Sequence, residues 1–303
     1  MTQSKFAKTI PYICAAGTVF FWASAFPAVK YTLEYFTPGS LMTYRFLVAA
    51  ALLLAYCAIK KVPPPTKKDL PLFALSGLAG IFLYMWAFNT GTDLVPSGIS
   101  SFIIASVPVF TLILSIVFLK EKSGPAIWIG VLISFGGIGI IAATQITEMQ
   151  LNLGIPLLLG AAVSGSIFIT LQKHLLQKYT AIQATAYSVA FGTAFSLVFL
   201  PGMVGELPAA SPSAHIVVIY LGLFPAAIAY LLWGYALAKT EKTAYVTSFL
   251  YLSPFLASIM AFIWLGETMP LLAVIGGIVV VVGMIITNVL KITGKSRRLG
   301  DPE

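Results

Sequence analysis

Charge is the scarcest property of this chain. Of its 303 residues only 9% are Asp, Glu, Lys or Arg, while 59% are apolar, and the mean hydropathy is +0.95. A soluble domain carries about 25% charged residues. The charge present here cannot clothe a water-facing surface, so a soluble enzyme and a disordered chain are both excluded. Cysteine is nearly absent. Cys14 and Cys57 provide neither a disulfide framework nor zinc spacing, and both sit in apolar runs as small buried hydrophobes. No metal-ligand set is visible, and no cofactor is expected. The net charge of +8 is scattered among apolar runs, which argues against a nucleic-acid partner.

What remains is apolar sequence in long blocks. A helix crosses hydrocarbon in about 20 residues. Ten stretches meet that length: 10–29, 40–59, 70–91, 95–118, 125–144, 152–172, 182–201, 215–237, 244–265 and 270–290. Short connections rich in turn formers join them, such as Pro63-Pro64-Pro65 and Thr37-Pro38-Gly39. The first stretch has the basic start of a signal peptide, yet it runs on past Ala23-Ser24-Ala25 to Val29 and is read as a retained helix. With the N-terminus in the cytoplasm, every basic residue outside the spans except Lys30 falls on the cytoplasmic side. That bias sets the orientation and places both termini inside. The basic tail is an anchor at an anionic inner leaflet.

The chain also repeats itself. Laying 70–140 on 216–286 places Tyr84 on Tyr230, Pro108 on Pro254, Glu121 on Glu267, Gly130 on Gly276 and Gly137 on Gly283. Upstream, Ser24 falls on Ser166, Phe26 on Phe168 and Tyr44 on Tyr187. Each half then holds five spans. Five is odd, so the second half enters the membrane upside down. Lys120-Glu121-Lys122 keeps its glutamate and loses both lysines in Gly266-Glu267-Thr268, as that inversion requires. The expected fold is an all-α integral membrane protein of ten transmembrane helices in two inverted repeats, 1–149 and 150–303. Inverted repeats around a midplane site are the plan of many secondary transporters.

Phe21-Trp22-Ala23-Ser24-Ala25-Phe26 in the first helix, Arg45-Phe46 in the second, and Leu-x-Glu closing helices four and nine before a Gly-rich helix resemble the EamA branch of the drug/metabolite transporter superfamily. The resemblance covers nearly the whole chain. It implies a ten-helix basket in the bacterial cytoplasmic membrane that exports metabolites, with helices one, three, four, six, eight and nine lining a central cavity. The aromatic-amino-acid exporters of the family are the nearest in kind.

Candidate working residues come in pairs. Pro108 and Pro254 interrupt equivalent helices and are the hinge or gating candidates, with Ser106 and Ser253 beside them; an inert kink is the alternative. Tyr84 and Tyr230 need partners for their hydroxyls and so face protein or cavity. Trp22, Trp86 and Tyr251, with Phe21, offer apolar walls for an amphipathic or aromatic solute, against ordinary packing. Ser24, Ser164, Ser166 and Asn89 are polar candidates for substrate contact or close helix packing. Ala126, Gly130 and Ser134 in helix five, and Ala273 and Gly277 in helix ten, read as packing seams. Trp128 and Trp264 read as interface anchors. Arg45 is the one cation well inside a span; it is read as a structural charge, snorkelling outward or paired with carbonyls or Glu34, ahead of a role in binding a substrate carboxylate.

No Asp or Glu lies in the middle of a span. That argues for a neutral or zwitterionic small-molecule substrate and against proton exchange through a buried carboxylate. The leading reading is an alternating-access exporter acting as a monomer or homodimer in the lipid bilayer. A passive channel is the alternative, although no charge ring is visible. An intramembrane enzyme ranks last: His174 and His215 lie near opposite faces, and no G-x-S-x-G occurs.

Overall fold

The computed structural model describes residues 2–119, 125–144, 146–147, 150–239 and 248–298. A chain in hydrocarbon must satisfy its backbone polar groups within itself, so the apolar runs become helices. Among the described residues six helices are long and apolar enough to cross a membrane: Thr9–Thr32, Pro38–Ile59, Leu70–Leu94, Gly154–Leu175, Ala181–Ala209 and Pro212–Lys239. Shorter apolar helices occupy Ser97–Thr111, Trp128–Ile141, Ser253–Leu265 and Leu271–Gly283. This is a multi-pass membrane protein that is helical apart from one short β pair.

The elements are α1 (Thr2–Thr32), α2 (Pro38–Ile59), α3 (Leu70–Gly77), α4 (Tyr84–Leu94), α5 (Ser97–Ile104), α6 (Val107–Leu119), α7 (Pro125–Ala143), α8 (Gly154–Leu175), α9 (Ala181–Ser196), α10 (Leu200–Glu206), α11 (Pro212–Leu223), α12 (Ala229–Lys239), α13 (Ser253–Leu265) and α14 (Leu271–Arg298). Starts follow local chemistry. Pro38 and Pro212 open α2 and α11, where a missing N–H costs nothing. Thr180 and Gln183 form a capping box at α9. Gly266 (φ 67°) ends α13 in the left-handed region that glycine tolerates. The turn delivers the Glu267 carboxylate to the start of α5, where it accepts from the Ser97 N–H at 2.8 Å and the Ser97 hydroxyl at 2.6 Å.

Several runs expected as single helices are interrupted. The stretch 95–118 is split into α5 and α6 at Ala105-Ser106, so that Pro108 is the second residue of α6. A 3-10 turn, Ser248–Leu252, precedes α13 and Pro254. The run 182–201 extends through 3-10 turns and α10 to Ala209. Between α3 and α4 lies a π-helical turn, Leu78–Leu83, and between α11 and α12 a second one, Phe224–Ile228. The chain is not wholly α: β1 (Ile146–Thr147) pairs antiparallel with β2 (Gln150–Leu151) before α8.

α7 and α14 pack face to face through small residues. A Cβ on Gly137 would lie 2.6 Å from the Gly276 carbonyl oxygen, and one on Gly283 would lie 2.6 Å from that of Gly130. The two helices therefore run antiparallel at near-backbone contact. Ser134 closes the seam by donating to the Val280 carbonyl at 3.2 Å. Gly130, Ser134 and Ala273 fit the expected packing rows, whereas Gly277 receives the Phe102 ring of α5. The side chain of Ala126 lies outside the described residues.

Candidate functional site

A cavity of about 130 Å³ opens among the broken helices. α1 contributes Trp22, Ala25 and Phe26, and α2 contributes Arg45. The first π-turn and α4 supply Gly80, Tyr84, Met85 and Phe88; the α5–α6 break supplies Ser101, Ile104, Ala105, Val107 and Pro108. Gly165, Phe168 and Ile169 come from α8, Tyr230 and Trp233 from α12, and Leu250 and Ser253 from the start of α13. Three positions recur in the repeat alignment: Tyr84 with Tyr230, Ile104 with Leu250, and Val107 with Ser253. Upstream, Phe26 pairs with Phe168.

The two prolines each stand one turn past a residue that lines the cavity. A proline removes the hydrogen bond to the carbonyl four residues earlier. For Pro108 and Pro254 those residues are Ile104 and Leu250, and both line the wall.

The walls are aromatic and interlocked. Trp22 meets Tyr230 edge-on at 5.5 Å and Trp233 at 5.3 Å; Tyr230 also meets Phe168 at 5.8 Å. In a second cluster Tyr84 stacks on Phe88 at 6.0 Å, and Phe88 meets Phe26 edge-on at 5.3 Å. Each contact adds about 0.5–1.5 kcal/mol beyond area burial and stiffens the wall. Among the described residues neither the Tyr84 nor the Tyr230 hydroxyl has a hydrogen-bond partner, and neither atom is sealed from the cavity.

Each π-turn receives a donor from a neighbouring helix. The Trp22 indole donates to the Pro225 carbonyl at 3.1 Å, and the Ser164 hydroxyl donates to the Ala79 carbonyl at 2.7 Å. Pro225 and Ala79 are equivalent in the repeat alignment. A π-turn bonds residues five apart in place of four, and such turns gather at functional sites.

The structure thus brings Trp22, Tyr84, Tyr230, Pro108 and Arg45 together. Pro254 is buried behind the wall, its carbonyl accepting from Ser258 at 2.7 Å and Ser101 at 3.4 Å. Ser24 bonds Tyr220 at 2.6 Å, and Ser166 bonds the carbonyls of Ala162 and of the wall residue Val107; neither serine lines the cavity itself. Asn89 donates to the Pro38 carbonyl at 3.0 Å, between α4 and α2. Trp86 is 39% exposed on the outer surface, because two residues past Tyr84 turn a helix by about 200°. The Tyr251 side chain lies outside the described residues. Trp128 and Trp264 are both exposed, and Trp264 stacks on Tyr31 at 5.9 Å.

Arg45 neither snorkels nor pairs with Glu34. It is 2% exposed. One guanidinium nitrogen faces the Met85 sulfur at 3.8 Å, the group lies 5.4 Å from the centre of the Phe46 ring, and Nε has no partner. Phe88, Phe168, Trp233 and Met85 were missed as wall residues. Helical spacing held the signal for some of them: Phe88 and Trp233 follow Tyr84 and Tyr230 by one turn, and Phe168 is the mate of Phe26.

Comparison with known proteins agrees with this architecture. The model of the EamA-like transporter family matches the chain twice, over residues 9–143 and 152–289. The chain belongs to the EamA-like transporter family. It is 35% identical over 285 residues to a probable terminal-alkyne amino-acid exporter of Streptantibioticus cattleyicolor, covering 94% of this chain and 95% of that one. It is 36% identical over 266 residues to the uncharacterized transporter YdfC of Bacillus subtilis, covering 88% and 87%. A solved crystal structure aligns with a TM-score of 0.66 at 16% identity over 97% of this chain and 99% of that chain, a likeness of fold alone. Family and relatives are transporters, not enzymes.

Proposed function

We propose that this protein is an alternating-access secondary transporter that exports a small neutral or zwitterionic metabolite across the bacterial cytoplasmic membrane. An aromatic or other apolar amino acid is the favoured substrate class. The observation that carries the reading is the aromatic cavity, walled in part by repeat-equivalent residues at two broken helices. Ten membrane helices in two inverted five-helix repeats, 1–149 and 150–303, with both termini cytoplasmic, complete the picture. The double family match supports the division. The reciprocal contacts of Gly137 with Gly276 and Gly283 with Gly130 support the inversion, because a two-fold relation makes residue i meet j while j's mate meets i's mate. The transporter works as a monomer or homodimer in the bilayer without a cofactor.

The cavity's size fits the substrate class. A 150 Å³ apolar cavity accommodates benzene, so about 130 Å³ holds roughly one ring. Reconstituted protein loaded with an amino-acid panel tests the reading: counterflow of phenylalanine or a similar apolar amino acid is expected, and it persists when the proton gradient is collapsed. Absence of flux across the whole panel would end the substrate assignment. Flux that never shows counterflow would instead indicate a passive pore.

A further inference from the structure

Resting on that reading of the cavity as a solute site, we infer that the Arg45 guanidinium is the docking point for the solute's carboxylate. Between described residues an ion pair joins Lys178 to Asp69, far along the chain from Arg45, and no described carboxylate pairs with Arg45. Arg45 is therefore a fully buried cation with no counter-charge there. Burying an ion unpaired costs several kcal/mol, and a structural arginine would be expected to have carbonyls or a carboxylate around its five donors. Here one donor meets a thioether at 3.8 Å and Nε meets nothing, while the side chain forms part of the cavity wall.

The rest of the wall defines the remainder of the solute. Among the described residues no Asp or Glu lines the cavity. A cationic amine without a carboxylate would face Arg45 with no anion to balance it. The ring faces of Trp22, Tyr84, Tyr230 and Phe168 accept an apolar or aromatic group, and can hold an ammonium by cation–π attraction. The only full charge in the described wall is positive, so the carboxylate is the group a fork of guanidinium donors reads best. The site selects for an acid group attached to roughly one ring's volume.

The test uses the purified full chain in detergent and follows thermal unfolding with three probes of similar shape: phenylacetate, phenylacetamide and 2-phenylethylamine. At millimolar concentration phenylacetate raises the midpoint by about 2 °C, through preferential binding to the folded state; the amide and the amine do not. Arg45→Gln abolishes the preference for the acid, and Arg45→Lys keeps part of it. Equal shifts with acid and amide, no shift with any probe, or an acid preference surviving in Arg45→Gln would each overturn the assignment. The acid–amide comparison on the unaltered chain decides the matter if Arg45→Gln does not fold. Amino-acid flux without an acid preference would sink the docking role and leave the transport reading. An acid preference without flux would do the reverse.

Discussion

The α3–α4 and α11–α12 helices are built alike and finished differently. Each carries a π-turn just before its cavity tyrosine, and each π-turn has a carbonyl that accepts from a helix outside its own hairpin. In one case the donor is a serine hydroxyl; in the other it is a tryptophan that also walls the cavity. The irregular backbone is common to both, while the groups that secure it differ. Irregular helix inside a membrane persists only where something re-satisfies the backbone. Two unlike donors reaching the same carbonyl position therefore mark the turn itself as the feature being held. Charge divides the regions as well: Arg45 has Ser188 as its counterpart, one residue after the Tyr44–Tyr187 match, and Ser188 bonds Ser76 away from the cavity. The pocket carries four pairs of equivalent residues, while its charge lies on one side.

The largest test of this comparison is Trp22→Ala against Ser164→Ala. The tryptophan variant loses the π-turn donor and two ring contacts and should lower stability by about 3–5 kcal/mol, with transport falling at least tenfold. The serine variant leaves one buried carbonyl short of a donor and should cost about 1–3 kcal/mol. Thermal unfolding and counterflow rates read both, and equal losses would contradict the stated difference. Next comes Gly283→Ala against Gly277→Ala. The first drives a methyl into the Gly130 carbonyl and Ser134 backbone, the second into the Phe102 ring, which can shift. About 1–3 kcal/mol is expected for the first and less for the second. Then Pro108→Ala should slow transport more than Pro254→Ala, with both variants reaching the membrane at normal levels, because only Pro108 touches the cavity.

The smallest effect belongs to Asp69. Hydrogen bonds from Lys178, Thr66 and Tyr179 hold its carboxyl well below the ordinary carboxylate range, and the same pairing raises Lys178. The lowered carboxyl contributes above its unfolded pKa of about 3.9 and is lost only as pH falls through the folded value. Lys178, raised, contributes until pH climbs through its own folded value. Asp69→Asn should therefore change the melting temperature slightly, and equally at pH 5 and pH 8. A difference that grew between those values would mean that another group controls the contact.

Much of this was readable before any coordinates. Long apolar blocks give spans, and the pairing of Tyr84 with Tyr230 and Pro108 with Pro254 located the broken helices beside the pocket. The π-turns left no such trace, because hydropathy reports where a helix is and not which carbonyl each N–H selects. Trp86 was misplaced for a simpler reason: aromatic character alone says nothing about azimuth, and its angle from Tyr84 turns it outward. Ser24 and Asn89 were polar in the right helices, yet Ser24 is held by Tyr220 and the Phe21 carbonyl, and the Asn89 amide N–H is turned to the Pro38 carbonyl, so neither lines the cavity.

The glycine seam between α7 and α14 has a mechanical consequence. Its glycine contacts map onto themselves when the two helices trade places. If each half of the protein takes up the shape the other has just left, this junction is returned unaltered, so it favours neither direction of the cycle. It can serve as the axle of the machine, fixed while the parts around it swing.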